Sequence, residues 1–257
     1  MAFAIALTDE QWELLADLFE PPGRRGAPAV IPRRQMVDAM LFIARTGCQW
    51  RYLPERYGTW TAVWAQWRRW RANGVWARAM ARLAAVVRVL HDREPSPSMV
   101  MVDAQTVKGA RYGPTFHEAG GRGGRTIGTK RTILVEILGL PVAARAGSAR
   151  PHDVQAGREL LGEHLADLPS VRAIVDDRAY RGLAALAERK HVRLDIKAPP
   201  KGVSGFTPLW PLYKIEHAFA QLEGWRRLSR CYEGSEASAR AWLEVASVGY
   251  LAWRAAA

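Results

Sequence analysis

Residues 98–104 read SMVMVDA, a short apolar run that predicts a β-strand ending near the carboxylate of Asp103. The same arrangement recurs in residues 171–180, VRAIVDDRAY, where a second apolar strand runs into Asp176 and Asp177. In α/β sheets, functional sites commonly lie at the carboxyl ends of the strands. The two stretches therefore predict an α/β fold with acidic groups at one edge of its sheet.

The segments around these strands extend the predicted fold. Residues 129–149, TKRTILVEILGLPVAARAGSA, predict two strands that a turn at Gly139 joins into a hairpin. Asp153 is expected to cap a helix, and a further helix and strand follow the second acidic strand. A last helix is predicted from near Pro211 through Tyr232. The expected order of elements is βββαβαβ followed by a helix.

The amino-terminal part of the chain is predicted to be wholly helical. Residues 8–19, TDEQWELLADLF, combine a capping threonine and early acids with apolar side chains at helical spacing. Residues 36–45, MVDAMLFIAR, are apolar enough for a buried helix that ends at Gly47. A third helix follows the turn at Pro54, and Gly74 separates it from a fourth.

A Pro/Ser-rich break at residues 94–98 separates this helical part from the strands. We place a domain boundary there, which gives a helical domain over 1–95 and an α/β domain over 96–257. The chain carries 37 Lys and Arg against 25 Asp and Glu, a net charge of +12. Both domains share this excess of positive charge, which favours a polyanionic partner such as nucleic acid.

Composition also limits the functional classes that the chain can belong to. Cys48 and Cys231 are too few for a zinc site or a disulfide framework, which favours a reducing compartment. No stretch approaches the roughly 18 to 20 apolar residues that span a bilayer, so we expect a cytoplasmic protein with no membrane partner. The histidines show no metal-ligand spacing, GRGG at 121–124 lacks the rest of a phosphate-binding loop, and the sequence has no serine elbow. Redox, kinase and hydrolase-triad functions are therefore not expected.

A basic segment, WRRWR at residues 67–71, lies on the third predicted helix. The helical register places Trp60, Trp64, Trp67 and Arg71 on one side and Arg68 and Arg69 on another. Two interpretations stay open for the three arginines. They form a solvated basic face over an aromatic core, or they lie against DNA phosphates or in a major groove, as in three-helix DNA-binding modules.

A third acid, Glu216, lies in the first turns of the last predicted helix, beside its apolar stripe. Each acid alone has an ordinary explanation as a turn cap or a partner of the helix dipole. Three carboxylates that converge repel one another unless cations lie between them. Oxygen ligands with open positions suit Mg²⁺ or Mn²⁺, and a pair of such ions supports phosphodiester chemistry. The three acids together therefore indicate a two-metal site beside a nucleic acid backbone.

Six stretches of the chain resemble DDE-type transposases of bacterial insertion sequences, in insertion-sequence family 5. In chain order they are LTDEQWELL (7–15), RTGCQWRYLPERYGTWTAVWAQWRRWRANGVW (45–76), VDAQTVKG (102–109), GTKRTILVEILGLPVAA (128–144), DDRAYRG (176–182) and IEHAFAQLEGWRRLSRCYE (215–233). The resemblance covers nearly the whole chain. It implies a ribonuclease H-like catalytic domain with a mixed sheet, preceded by a tryptophan-rich helical DNA-binding domain.

The resemblance implies that Asp103, Asp177 and Glu216 are the catalytic acids and hold two Mg²⁺ or Mn²⁺ ions. The family pattern around the second acid is an Asp followed by a small residue two positions later and then a tyrosine, which fits Asp177. Strand alternation also favours Asp177, with Asp176 as the alternative. Many relatives carry Arg directly after the catalytic Glu.

At that position this chain has His217. A wider family signature, with Arg four residues before the Glu and a basic residue seven after it, meets Leu212 and Glu223 here. Glu223 therefore stays open as the competing third acid.

The implied activity is metal-dependent DNA cleavage at the ends of the insertion sequence, followed by transfer of the 3′-hydroxyl into target DNA. The implied partners are double-stranded DNA, as terminal inverted repeats and target, and further copies of the chain, as a homodimer or larger synaptic complex. We expect a cytoplasmic, nucleoid-associated bacterial protein. The residues expected to contact DNA are Arg68, Arg69, Arg71, Lys108, Lys130 and Arg131. For Lys130 and Arg131, a phosphate contact and a solvated strand end are equally open.

Two other functions stay open at this point. A transposase that has lost catalysis could be retained as a DNA-binding repressor, and a metal-dependent nuclease would use similar acids. A repressor has no reason to keep all three acids at strand ends.

Overall fold

The computed structural model describes residues 6–20, 30–109, 118–119, 126–198 and 209–256. The helices are α1 (Asp9–Glu13), α2 (Ala16–Phe19), α3 (Arg33–Thr46), α4 (Trp60–Ala72), α5 (Val75–Leu90), α6 (Asp153–His164), α7 (Ala184–Arg189), α8 (Tyr213–Glu223) and α9 (Glu236–Ala255). The strands are β1 (Met99–Lys108), β2 (Glu118–Ala119), β3 (Thr126–Glu136), β4 (Pro141–Ser148), β5 (Ala173–Asp176) and β6 (Arg193–Ile196). The fold is therefore mixed α/β, as the sequence predicts.

The amino-terminal helices begin and end largely where the sequence signals lie. Thr8 caps α1, and Gln11 completes a capping box with it. α3 ends at Gly47, whose φ of +71° is the left-handed conformation that favours glycine. Gly74, with φ of +61°, separates α4 from α5. The prediction of one helix over 8–19 is wrong in detail, because the chain breaks there into α1 and α2.

The main sheet has the strand order β4-β3-β1-β5-β6, and the short β2 pairs with the start of β3. β4, β3 and β1 are antiparallel neighbours, whereas β1, β5 and β6 are parallel. The predicted hairpin between β3 and β4 is confirmed, with Gly139 at φ of +81° in its turn. β1 is thus a central strand with an antiparallel neighbour on one side and a parallel neighbour on the other.

Helices cover both faces of the sheet. α6 lies against the face that carries Val102, because a Cβ added to Gly157 would come within 3.2 Å of that side chain. α8 lies over the opposite face, where the side chain of Gln105 donates a hydrogen bond to Glu223. α5 and α9 pack against each other and against β4. The two faces of β1 therefore meet different helices.

One hydrophobic core runs through the described residues. It includes Trp76 of α5, Met101 of β1 and Trp242 of α9, and the ring of Trp67 stacks on Trp242 with centroids 5.3 Å apart. The described elements before Met99 are all helical. Residues on both sides of residue 95 belong to this core. The domain boundary placed there stays a prediction.

The carboxyl-terminal part differs from the prediction. The last predicted helix is wrong beyond Glu223, where α8 ends and a 3₁₀ turn over Arg226–Leu228 follows. The ring of Trp225 closes against α9 so tightly that a Cβ on Gly249 would lie 2.1 Å from it. α9 was not predicted, because it is buried nearly all round and so lacks the one-sided pattern of an amphipathic helix. Within the described residues, no helix is long and apolar enough to cross a membrane.

Candidate active site

The candidate site lies where β5 ends beside β1. β5 stops at Asp176, and the backbone N–H of Val102 in β1 donates to Oδ2 of Asp176 over 3.2 Å. The prediction that this strand ends near Asp103 is wrong, because β1 continues to Lys108. Asp103 lies just beyond the end of its parallel neighbour β5. Asp177 follows Asp176 directly. The acids of the two strands therefore lie close together where β5 ends beside β1.

Asp103 is the half-buried acid of this group. Its Oδ1 accepts hydrogen bonds from the hydroxyl of Tyr180, at 3.0 Å, and from the backbone N–H of Ala104, at 2.8 Å. Burial raises the pKa of Asp103, and the negative charges of Asp153 and Asp177 raise it further, against the two hydrogen bonds. Among the described residues, Oδ2 of Asp103 has no hydrogen-bond partner.

Asp176 and Asp177 have opposite environments. Asp176 is only 4% exposed, and its two oxygens accept from the backbone N–H groups of Val102 and Asp177. Burial raises the pKa of Asp176 well above its usual range, and the charges of Asp103 and Asp177 add to this. Asp177 is exposed, and its Oδ1 accepts from the N–H of Ala179 at 2.7 Å. The alternation argument for Asp177 is wrong, because the strand ends at Asp176 and Asp177 caps the turn that follows.

Tyr180 is a member of this group that sequence reasoning used only as part of a motif. Burial raises the pKa of Tyr180 far above its ordinary value, followed by the charges of Asp103 and Asp176. The phenol therefore remains protonated and is a hydrogen-bond donor to Asp103. The two residues are 77 positions apart, so only the fold reveals the contact.

The two candidate third acids lie on α8. Glu216 is exposed, and Glu223 accepts a hydrogen bond from Gln105, which shares a face of β1 with Asp103. Seven residues place the two glutamates on one side of α8, about 10 Å apart along its axis. No three His, Cys, Asp or Glu side chains in the described part of the chain are arranged to hold a metal ion. The structure thus gathers Asp103 with Asp177 but does not bring Glu216 into one ligand set with them.

Lys130 and Arg131 are buried, at 7% and 6% exposure. The ammonium of Lys130 donates to the carbonyl of Pro151 at 2.6 Å and pairs with Asp153. Arg131 donates to the carbonyl of Leu228, and burial lowers its pKa to about 10. The interpretation as a solvated strand end is wrong, because β3 lies inside the sheet and sends its side chains into covered faces.

The prediction that Asp153 caps a helix is wrong, but Asp153 lies close to the candidate site. His152 occupies the cap position, and Asp153 is the first residue of α6. Its charge raises the pKa values of Asp103 and Tyr180, while Lys130 pairs with it from β3. The sequence signal was limited to its place before a helix, and the nearness of Asp153 to Asp103 required the fold.

Comparison with known proteins places the chain in a family. The family model described as "Putative transposase of IS4/5 family (DUF4096)" matches residues 7–80. The "Uncharacterized protein y4sN" of Sinorhizobium fredii is 37% identical over 122 residues, which are 46% of this chain and 87% of that protein. The chain belongs to this IS4/5 family of transposase-related proteins.

A second relative of this transposase-related chain is named for an insertion element. The "Insertion element IS402 uncharacterized 16.2 kDa protein" of Burkholderia cepacia is 36% identical over 88 residues. The match covers 32% of this chain and 60% of that protein. The family model ends at residue 80, so the acids of the candidate site lie outside it.

The basic segment on α4 of this transposase-related chain lies inside the matched region. Arg68 is exposed and stacks over the ring of Trp64, with 4.8 Å to its centroid. Arg69 is exposed and donates to the side-chain oxygen of Gln66, while Arg71 lies over the ring of Trp67.

The predicted grouping of the α4 side chains is wrong for Trp64. Trp64 is 37% exposed, and the buried face of the helix consists of Val63, Gln66, Trp67 and Trp70. The buried face of α4 is about one position away from the expected stripe. Lys108 is exposed at the end of β1. Arg68, Arg69 and Lys108 therefore remain accessible to a partner.

Proposed function

We propose that the chain is a transposase that cuts DNA at the ends of an insertion sequence and joins the freed 3′-hydroxyl to target DNA. The observation that carries this proposal is the gathering of Asp103, Asp176 and Asp177 at one opening of the sheet in a chain of a transposase-related family. None of the three forms an ion pair with a described Lys or Arg. Carboxylates that lie close together without a cation repel one another and cost stability, and a phosphoryl-transfer site is a reason to keep them.

The proposal includes a ribonuclease H-like catalytic domain. Its support is a mixed sheet in which three antiparallel strands precede two parallel ones, with helices on both faces. The order of these elements agrees with the expected βββαβαβ series. The acids lie at the end of β5 and beside it on β1.

We propose Mg²⁺ or Mn²⁺, as two ions, for the cofactors. The donor chemistry fits in part, since Asp103 and Asp177 each keep one carboxylate oxygen without a partner among the described residues. Asp176 fits less well, because backbone N–H groups occupy both of its oxygens. Bound divalent ions would activate the attacking oxygen and stabilise the leaving one. Glu216 is the third ligand that we propose, with Glu223 as the alternative.

DNA binding is proposed for the exposed basic side chains. Arg68 and Arg69 lie on α4 within the matched family region, and Lys108 lies at the end of the strand that carries Asp103. In this arrangement the helices bind the terminal inverted repeats and the sheet approaches the DNA backbone. Joining two ends requires at least two copies of the chain in the synaptic complex, on the bacterial nucleoid.

The proposal is tested with labelled DNA that carries the terminal repeats. Asp103→Asn should reduce strand cleavage in Mg²⁺ by at least about 1,000-fold while the affinity for the repeats stays unchanged. Asp167→Asn, in an exposed turn, is the matched control and should cleave normally. Arg68→Ala should weaken binding and reduce its salt dependence. Cleavage by Asp103→Asn at the wild-type rate would overturn the assignment.

A DNA-binding repressor derived from a transposase is the second candidate. The observation that favours it is that Glu216 does not join Asp103 and Asp177 in a metal-capable group within the described residues. Wild-type protein that binds the terminal repeats but cuts them in neither Mg²⁺ nor Mn²⁺ would establish this function in place of the first.

A further inference from the structure

The contact between Tyr180 and Asp103 has the form of a device that orients a carboxylate. Tyr180 is buried, and its hydroxyl reaches Oδ1 of Asp103 from the turn that follows β5. The backbone N–H of Ala104 donates to the same oxygen. Two donors on one oxygen fix the plane of the carboxylate and leave Oδ2 as its open oxygen.

The ring of Tyr180 reaches this position through a narrow slot between α6 and β1. A Cβ added to Gly157 would lie 3.1 Å from Cε1 of Tyr180 and 3.2 Å and 3.3 Å from the two methyl groups of Val102. A glycine inside a helix costs about 0.5–1 kcal/mol relative to alanine. At Gly157, α6 carries that cost where a side chain would push on the tyrosine ring.

The comparison within α6 supports this interpretation. Gly162 lies in the same helix, and a Cβ there would meet nothing within 4 Å. Close packing is therefore not a general property of glycines in α6. It is specific to the position that faces Tyr180 and Val102.

We propose that Tyr180 is a positioning residue for Asp103 and that Gly157 provides the space that lets its hydroxyl reach the carboxylate. The inference rests on the proposed function, in which Asp103 binds a divalent cation through its open oxygen. Tyr180 itself touches neither the cation nor DNA. Partners of this kind orient metal ligands, and their loss typically costs about 10- to 100-fold in metal affinity.

The test compares Tyr180→Phe with wild type in the full-length chain. Mn²⁺ binding is measured by electron paramagnetic resonance, and cleavage of terminal-repeat DNA is measured in parallel. Tyr180→Phe should bind Mn²⁺ about 10-fold more weakly and cleave more slowly at saturating DNA, with unchanged DNA affinity. Gly157→Ala, which keeps the hydroxyl but displaces the ring, should weaken Mn²⁺ binding in the same direction.

Tyr250→Phe is the matched control. It removes another buried phenol hydroxyl, one that accepts a hydrogen bond from Arg254 on α9, and it should leave Mn²⁺ binding and cleavage unchanged. If Tyr180→Phe binds Mn²⁺ like Tyr250→Phe, or if wild type binds no Mn²⁺, the positioning role is overturned. Wild type that binds Mn²⁺ but does not cut DNA refutes the proposed function, and a weaker Tyr180→Phe complex would still support the positioning role.

Discussion

Two acidic regions beside the central strand β1, one at its amino-terminal end and one at its middle, differ in how their negative charge is compensated. At its amino-terminal end, opposite Val100, Glu136 is fully buried and pairs with Arg88 of α5. The backbone N–H groups of Leu138 and Leu140 also donate to Glu136. In the middle of β1, Asp103 and its neighbours have hydrogen bonds but no ion pair with a described cation.

A described cation pairs with Glu136, whereas under the proposed function a bound ligand would compensate the acids around Asp103. Burial raises the pKa of Glu136, and the charge of Arg88 and the hydrogen bonds oppose this rise. For Asp176, burial raises the pKa and the neighbouring acids raise it further. A group of acids that destabilise one another is expected to bind a ligand that compensates them.

The largest effect on stability is expected from removing the ion pair between Arg88 and Glu136. Arg88→Met leaves Glu136 buried without its cation, and this should lower the free energy of unfolding by about 3–5 kcal/mol. Urea denaturation at neutral pH measures the change. The double variant Arg88→Met with Glu136→Gln should recover most of the loss, because no buried charge is then left alone.

A loss below about 1 kcal/mol in Arg88→Met would mean that the pair contributes no more than a surface ion pair. The contrast between the paired Glu136 and the unpaired acids around Asp103 would then have no energetic basis. The same measurement on Asp103→Asn sharpens the comparison, since removing one of the unpaired acids should not destabilise the protein by a similar amount.

The pair of Glu136 with Arg88 and the acids around Asp103 were not equally predictable from the sequence. Local signals predicted the strand with Asp103, the hairpin turn at Gly139 and the end of α3 at Gly47, because each depends on a few adjacent residues. The partner of Glu136 could not be predicted, since Arg88 lies 48 positions away on a helix. Long-range pairs follow from tertiary packing, which local patterns do not encode.

The candidate site shows the same limit. The sequence identified Asp103 and the acidic pair after the second strand, but it placed Asp177 in the strand because alternation assumes that the strand continues. The strand stops one residue earlier, so the buried acid is Asp176 and the exposed one is Asp177. The burial of Lys130 was not predicted, because it depends on the place of β3 between β1 and β4, and local sequence patterns do not give the strand order.

Glu244 on α9 is intermediate between Glu136, which pairs with a buried arginine, and the unpaired acids around Asp103. Its titration allows a test by pH. It is buried, and Nε of the partly exposed Arg240 lies 3.4 Å from its carboxylate. Burial raises the pKa of Glu244 from 4.5 to about 7, and Arg240 opposes the rise. Because the folded value exceeds the unfolded one, the bound proton stabilises the protein fully below pH 4.5, and this contribution is lost as pH rises through about 7.

Glu244→Gln removes this titration. The free energy of unfolding of the variant minus that of wild type should therefore rise by about 3 kcal/mol between about pH 4 and about pH 8. Denaturant titrations across this range measure it. Glu188→Gln, an exposed position on α7, is the control and should show a nearly constant difference. A constant difference for Glu244→Gln would show that Arg240 compensates the buried charge, as Arg88 does for Glu136.

The smallest expected effect on stability concerns the packing of α6 beside Asp103. It depends on two glycines of α6, Gly157 and Gly162. Gly162→Ala should raise the free energy of unfolding by about 0.5–1 kcal/mol, because alanine favours the helix and the added methyl meets nothing. Gly157→Ala should lower it by about 1 kcal/mol, since its methyl pushes on Val102 and on the Tyr180 ring. Displacing the ring strains its hydrogen bond to Asp103, and Val102 lies in a central strand, so making room for the methyl costs free energy. Thermal unfolding of both variants gives the comparison, and equal stabilisation would mean that the ring moves freely and does not hold Asp103 in place.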